Sequence, residues 1–113
     1  MKNVQKFLFA AMFLAAVSCS GSNDPKVSSI NPDEGSQLGG TNVTIKGDNF
    51  VEILEVLIGG VNCESINIVS EKELTCETGA NPAVITDAVV DIEIRNINGD
   101  NGKLRDAFTY RAE

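Results

Sequence analysis

The stretch Val90-Asp91-Ile92-Glu93-Ile94-Arg95, with Asn98-Gly99-Asp100-Asn101-Gly102 and the run Leu104 to Tyr110 behind it, decides the fold class. Aliphatic and charged residues alternate one for one through Val90 to Arg95. In a strand that pattern buries three aliphatics on one face and leaves three charges in water. The Asn/Gly/Asp cluster that follows supplies residues tolerant of positive φ, as a tight hairpin turn requires. Leu104 to Tyr110 then returns as the second strand.

The same pattern repeats toward the N-terminus. Val27 and Ile30 begin an edge strand that stops at the turn cluster Asn31-Pro32-Asp33-Glu34-Gly35. After Gly39-Gly40, Val43 and Ile45 face one side while Thr44 and Lys46 face the other. Leu54, Val56 and Ile58 form a strand ended by Gly59-Gly60, and Ile66 to Val69 and Leu74 to Cys76 form two short ones. Turn residues interrupt the apolar alternation roughly every 8 to 12 positions, the spacing of a sandwich or barrel. Residues 25–113 therefore read as one all-β domain with a modest core.

Composition narrows the chemistry. The 113 residues contain no histidine and no tryptophan, only three cysteines, and carry a formal charge of -7. A Ser-His-Asp triad, a His-containing zinc site and a histidine general base are all excluded within this chain. An acidic surface repels duplex DNA, so nucleic acid is not an expected partner.

The first 18 residues have a different character. Lys2 and Lys6 precede the apolar run Phe7 to Val17, which is too short to span a bilayer as a helix. A basic start, a short apolar centre and small residues behind it describe a secretory signal peptide; an amphipathic helix would need a polar face that this run lacks. Ala16-Val17-Ser18-Cys19 resembles the bacterial lipobox, in which the cysteine becomes the first mature residue and carries lipid. It departs from the usual pattern in having Ala16 where leucine is favoured. An ordinary signal peptidase would also accept small Ala16 and Ser18 around Val17. The lipid-bearing Cys19 is the reading taken, because a polar tether through Asp24 follows it. Losing Lys2 and Lys6 leaves 7 basic against 16 acidic groups, a mature charge of -9. The tether is assigned to residues 19–24.

With Cys19 lipidated, Cys63 and Cys76 remain as an even pair, and in an oxidising compartment such a pair usually bonds. Two buried free thiols are the alternative reading.

Five ordered blocks carry a family resemblance. Pro25-Lys26-Val27-Ser28-Ser29-Ile30-Asn31-Pro32-Asp33-Glu34-Gly35-Ser36 resembles the opening of the IPT/TIG family, immunoglobulin-like domains shared by plexins and certain transcription factors. Gly39 to Phe50, Val56 to Cys63, Leu74-Thr75-Cys76 and Ala107-Phe108-Thr109-Tyr110 follow in the family's order. The resemblance implies an E-set-type immunoglobulin-like sandwich of about seven short strands. It also implies that Phe50, Phe108 and Tyr110 are core aromatics. In extracellular members the cysteines matching Cys63 and Cys76 are bonded, in agreement with the pairing above. Between Thr78 and Ala88 the chain departs from the pattern, and Gly79 to Ala83 reads as a loop of unassigned shape.

Asp91 with Glu93 places two carboxylates on one strand face, but alternating charges there describe a solvated surface better than a glycosidase pair. Asn98 to Gly102 is not an EF-hand loop, since Thr109 stands where the bidentate glutamate belongs. Asn42-Val43-Thr44 is a glycosylation sequon that matters only in a eukaryotic secreted protein. The transcription-factor relatives bind DNA through basic loops, and none is present here. Polysaccharide binding is the alternative to a protein-contact or spacer role, yet all three mature aromatics are assigned to the core, leaving no stacking platform. A secreted eukaryotic adhesion or receptor fragment is the third reading. No metal or cofactor is expected. The contact loops at the sandwich ends are represented by Asp33, Glu34, Asn81, Asp100 and Asn101, facing an envelope or extracellular protein.

Overall fold

Nine strands follow one another without a helix among the described residues: β1 Lys26–Asn31, β2 Glu34–Ser36, β3 Asn42–Asp48, β4 Ile53–Ile58, β5 Val61–Asn62, β6 Glu64–Ser70, β7 Glu73–Glu77, β8 Ala88–Asn96 and β9 Asn101–Arg111. The structure is a computed structural model and describes residues 24–113. The expected signal segment 1–18, Cys19 and the tether up to residue 23 lie outside the described residues. One sheet has the order β2-β9-β8-β4-β5 and the other β1-β3-β7-β6. They pack face to face as a sandwich, with Ile45, Leu74, Val56, Ile58, Ile92, Ile94, Phe108 and Tyr110 all fully buried between them. Seven strands are those read from alternation. The other two, β2 and β5, are only three and two residues long and escape any periodicity argument.

Register shifts interrupt several of the ladders, and those in β1, β4 and β9 each move a side chain. Val27 and Ile30 are three apart, so a regular strand would send them to opposite faces. A register shift between Val27 and Ser29 absorbs the extra residue, and both are buried. In β4, Arg95 pairs with Glu55 and Asn96 with Ile53, which leaves Leu54 as the surplus residue. Leu54 is 61% exposed although it shares the parity of Val56 and Ile58. In β9 the shift falls between Phe108 and Leu104, where Asp106 adopts a left-handed φ of 52°. The Asp106 N–H is held there by a 2.8 Å bond to the Asp91 carboxylate. Asp91 and Glu93 are half-buried, not fully solvated as alternation alone suggested.

Two features join the sheets. At Cys63 the chain leaves β5 of one sheet for β6 of the other, and a disulfide to Cys76 on β7 ties that crossover down. By chain-entropy reasoning a loop of this size contributes about 3 kcal/mol. At the opposite side, buried Pro25 and the start of β1 wedge between β3 and β9. A methyl group on Gly47 of β3 would stand 1.8 Å from the Lys26 carbonyl oxygen, and one on Gly102 of β9 would stand 1.9 Å from that of Pro25. Neither approach is open to a larger residue.

Gly102→Ala is expected to destabilise the domain by about 1 to 3 kcal/mol through that backbone clash. Phe108→Ala, which empties a fully buried ring site, is expected to remove about 3 to 5 kcal/mol. Thermal or urea melts of the two variants check the order, and a melt of Gly102→Ala matching wild type would refute the wedge.

Candidate functional site

Loops gather at the two ends of the sandwich. The chain enters at one end, where Pro25 abuts Gly102 and the Asp24 carbonyl accepts a 3.1 Å bond from the Asn49 side-chain amide. That entry end also carries residues 49–52 and the β8–β9 turn. The opposite, exit end carries residues 37–41, 78–87 and 112–113.

The exit end is braced by buried hydrogen bonds. Tyr110 continues the inward row of β9 and stacks edge-on against Phe108, with ring centroids 5.2 Å apart. Its hydroxyl donates to the Gly79 carbonyl at 3.1 Å. Burial raises the phenol's pKa above its ordinary 10.0, so it remains a donor. Thr78, also buried, accepts from the Thr41 N–H through its hydroxyl and from the Gly40 N–H through its carbonyl. The Asn81 N–H donates to the Gln37 carbonyl at 2.7 Å, coupling the two loops. The segment that alternation left as an unassigned loop is thus pinned, and Val84 enters the core from it. On its rim stand Leu38 and Ile85, 69% and 86% exposed.

An ion-pair cluster closes this end. Arg111 bonds Glu34 and, at 2.9 Å, Asp87. The Asp87 carboxylate also accepts the Ala112 N–H at 2.9 Å. The Ala112 bond first, and then Arg111, hold the Asp87 pKa below its ordinary 3.8.

The entry end is organised by a residue the alternation argument passed over. Asn96 is two residues beyond Ile94 on the inward row of β8 and is only 4% exposed. Its Oδ1 accepts the N–H groups of Asn98 at 2.9 Å and Asp100 at 3.1 Å, shaping the turn. Extending the two-residue period by one step from Ile94 would have located it. A strand away, the Asn101 amide donates to Glu93 at 2.6 Å, and this bond is the main reason the Glu93 pKa lies below its ordinary 4.5.

The five expected contact residues are therefore divided between the ends. Asp33, Glu34 and Asn81 lie at the exit end, Asp100 and Asn101 at the entry end. Two of them are not loop residues. Glu34 opens β2, which pairs parallel with β9, and its carboxylate is held by Arg111. Asn101 is the first residue of β9, opposite Arg95. The turn cluster after Ile30 ends earlier than its composition suggests, because Gly35 finds a ladder partner in Tyr110. Phe50, Phe108 and Tyr110 all have 1% or less of their surface exposed.

Two packed sheets, a bonded crossover and loops at both ends define an immunoglobulin-like module. The chain belongs to the IPT/TIG domain family, whose pattern matches residues 25–110. Human fibrocystin-L is 38% identical over 85 residues, covering 75% of this chain and 2% of that protein. The plexin A4 extracellular region superposes with a TM-score of 0.62 at 25% identity, over 85% of this chain and 10% of that one. The TIG domain of human nuclear factor of activated T-cells, cytoplasmic 4, superposes at 0.64 over 85% of this chain and 95% of its own, and at 19% identity it speaks to the fold alone. The chain thus spans a small fraction of the fibrocystin-L and plexin relatives.

Tyr110→Phe is expected to strand the Gly79 carbonyl and lower stability by about 1 to 3 kcal/mol. Amide exchange should quicken at Asn81 and Val84 while β8 stays protected. Unchanged exchange there would show that the hydroxyl does not pin the loop. A second expectation concerns acid. Because the folded-state pKa of Asp87 is lowered, its contribution is present above the ordinary carboxylate range and fades as pH falls through the folded value. Protection of the Ala112 amide should decline over that window, and Asp87→Asn should abolish the dependence.

Proposed function

We propose that this chain is a non-enzymatic cell-envelope lipoprotein, anchored by a lipid on Cys19 and presenting one IPT/TIG domain as a protein-contact, adhesion or spacer module. The observation that carries the reading is polarity along the domain. Pro25 packs at the start of β9 and residues 112–113 follow its end, so an anchor ahead of Asp24 leaves the exit end pointing outward. β9 alone, eleven residues long, separates the two by roughly 35 Å. Leu38 and Ile85 stand on that outward end, on loops held in place by the Tyr110 and Gln37 bonds. Exposed aliphatics on pre-ordered loops suit a protein partner, because little conformational entropy remains to be lost on binding. The extracellular plexin neighbour supports export, and the disulfide agrees with an oxidising compartment.

Labelling of cells with a palmitate analogue should mark the wild type and leave Cys19→Ala unmarked; equal labelling would end the lipid-anchor reading. For the contact role, a photocrosslinker at Ile85 should yield one dominant adduct that Leu38→Asp suppresses without lowering the melting temperature. Adducts formed equally from position 85 and from Lys46 on β3 would argue for a passive spacer.

A further inference from the structure

The entry end carries a cleft of about 260 Å³ lined by Asn49, Val51, Glu52, Asn96 and Asn98. Two loops form its walls and are tied by a 2.9 Å bond from the Ile97 N–H to the Glu52 carbonyl. Asn96 lies at its buried limit. Both backbone N–H groups that Asn96 receives go to Oδ1, which fixes the amide's orientation and turns Nδ2 away from the turn. Among the described residues that Nδ2 has no hydrogen-bond partner, although Asn96 is more than nine-tenths buried. Beside an open cleft such a donor pairs with an acceptor from outside the chain, water in the free protein and a ligand oxygen when one displaces it.

The lining defines the acceptor's class. No cation lines the cleft, so an anionic ligand has nothing to neutralise it. One carboxylate among amides is a poor metal site, and no group of three or more acidic or cysteine side chains that could hold a metal occurs among the described residues. Amides offer a donor and an acceptor side by side, and Glu52 adds acceptors. Vicinal hydroxyls, each donor and acceptor at once, complement that set. Val51, 47% exposed, supplies an aliphatic wall for the C–H face of a ring. The volume falls just below that of pockets for drug-sized ligands and suits one ring.

We propose that this cleft binds a single neutral sugar ring, with Asn96 Nδ2 donating to a ring hydroxyl or ether oxygen and with Asn98 and Glu52 bridging its hydroxyls. The site needs no exposed aromatic and is independent of the protein-contact role assigned to the exit end. It lies where the chain enters, so a soluble sugar and a membrane-borne sugar headgroup share the chemistry that fits it.

The test is a ¹H–¹⁵N titration of the processed, exported chain with methyl α-D-glucopyranoside and N-acetyl-D-glucosamine, with glycerol as control. A parallel sedimentation arm uses phosphatidylcholine vesicles with and without monogalactosyl diacylglycerol. Saturable shifts confined to Val51, Glu52, Asn96 and Asn98 with either sugar support the proposal. Sedimentation only with the glycolipid vesicles also supports it and names the headgroup as the source. Asn96→Asp keeps the acceptor that shapes the turn and loses the donor, and should weaken binding about tenfold. Asn98→Ala, whose side chain takes no part in the turn, should weaken it similarly with an unchanged melt. The proposal is overturned if neither arm shows binding, if glycerol produces the same shifts, or if both variants bind as wild type does.

Discussion

Each strand of this sandwich must keep one face turned inward, and a slip of a single residue would exchange its buried row for its solvated one. That constraint governs the rest of the structure. Ile92 and Ile94, two apart, both turn inward with no register shift between them. Where the sequence places apolar residues three apart, as at Val27 and Ile30, a bulge intervenes. The bulges have consequences of their own. The one in β4 ejects Leu54, and the one in β9 puts Asp106 in left-handed backbone and draws Asp91 partly out of solvent to hold it. Local irregularity here is what a regular core requires of an irregular pattern.

The two ends of the domain are built on different principles. At the exit end, three donors are matched by neighbouring backbone and side chain: the Tyr110 hydroxyl by the Gly79 carbonyl and the Gly40 and Thr41 amides by Thr78. A long segment between β7 and β8 is thereby fixed without secondary structure of its own. At the entry end, the Asn96 amide completes the turn with one half of its hydrogen-bonding capacity. The first arrangement makes a firm platform, and the second leaves chemistry unspent.

Much of this was legible in the chain. Alternation in Val43 to Lys46 and Val90 to Arg95 located central strands because both faces there have a definite environment. The ordered blocks from Pro25 to Tyr110 pointed to the family, and Cys63 and Cys76 to the crossover bond. What escaped notice did so for several physical reasons. β2 exists through a ladder partner distant in sequence, Arg111 for Ser36, and β5 is a two-residue return across the Gly59-Gly60 turn, Asn62 pairing with Leu57, so neither is long enough to show a local period. Glu34 and Asn101 looked like turn residues because glutamate beside glycine and asparagine beside glycine carry that signal, yet pairing with β9 and β8 overrides it. Asn96 was overlooked for the opposite reason: a polar residue at the end of an apolar row reads as the start of solvent, and here the row continues one step further inward.

The wedge at Pro25 has a mechanical meaning. Tension applied ahead of residue 24 and beyond residue 113 would pull along the strands, since β9 runs the length of the domain between those points. The β1–β3 ladder, with pairs from Lys26–Asp48 to Asn31–Thr44, would then be loaded in shear, its hydrogen bonds sharing the force instead of opening one after another. Pro25 and Lys26 press on Gly102 and Gly47 at once, so the pull reaches both sheets before either can slide alone. Resistance to such a force is set by the unfolding barrier and not by equilibrium stability. A domain wired in this way can be only modestly stable at rest and still hold a taut connection.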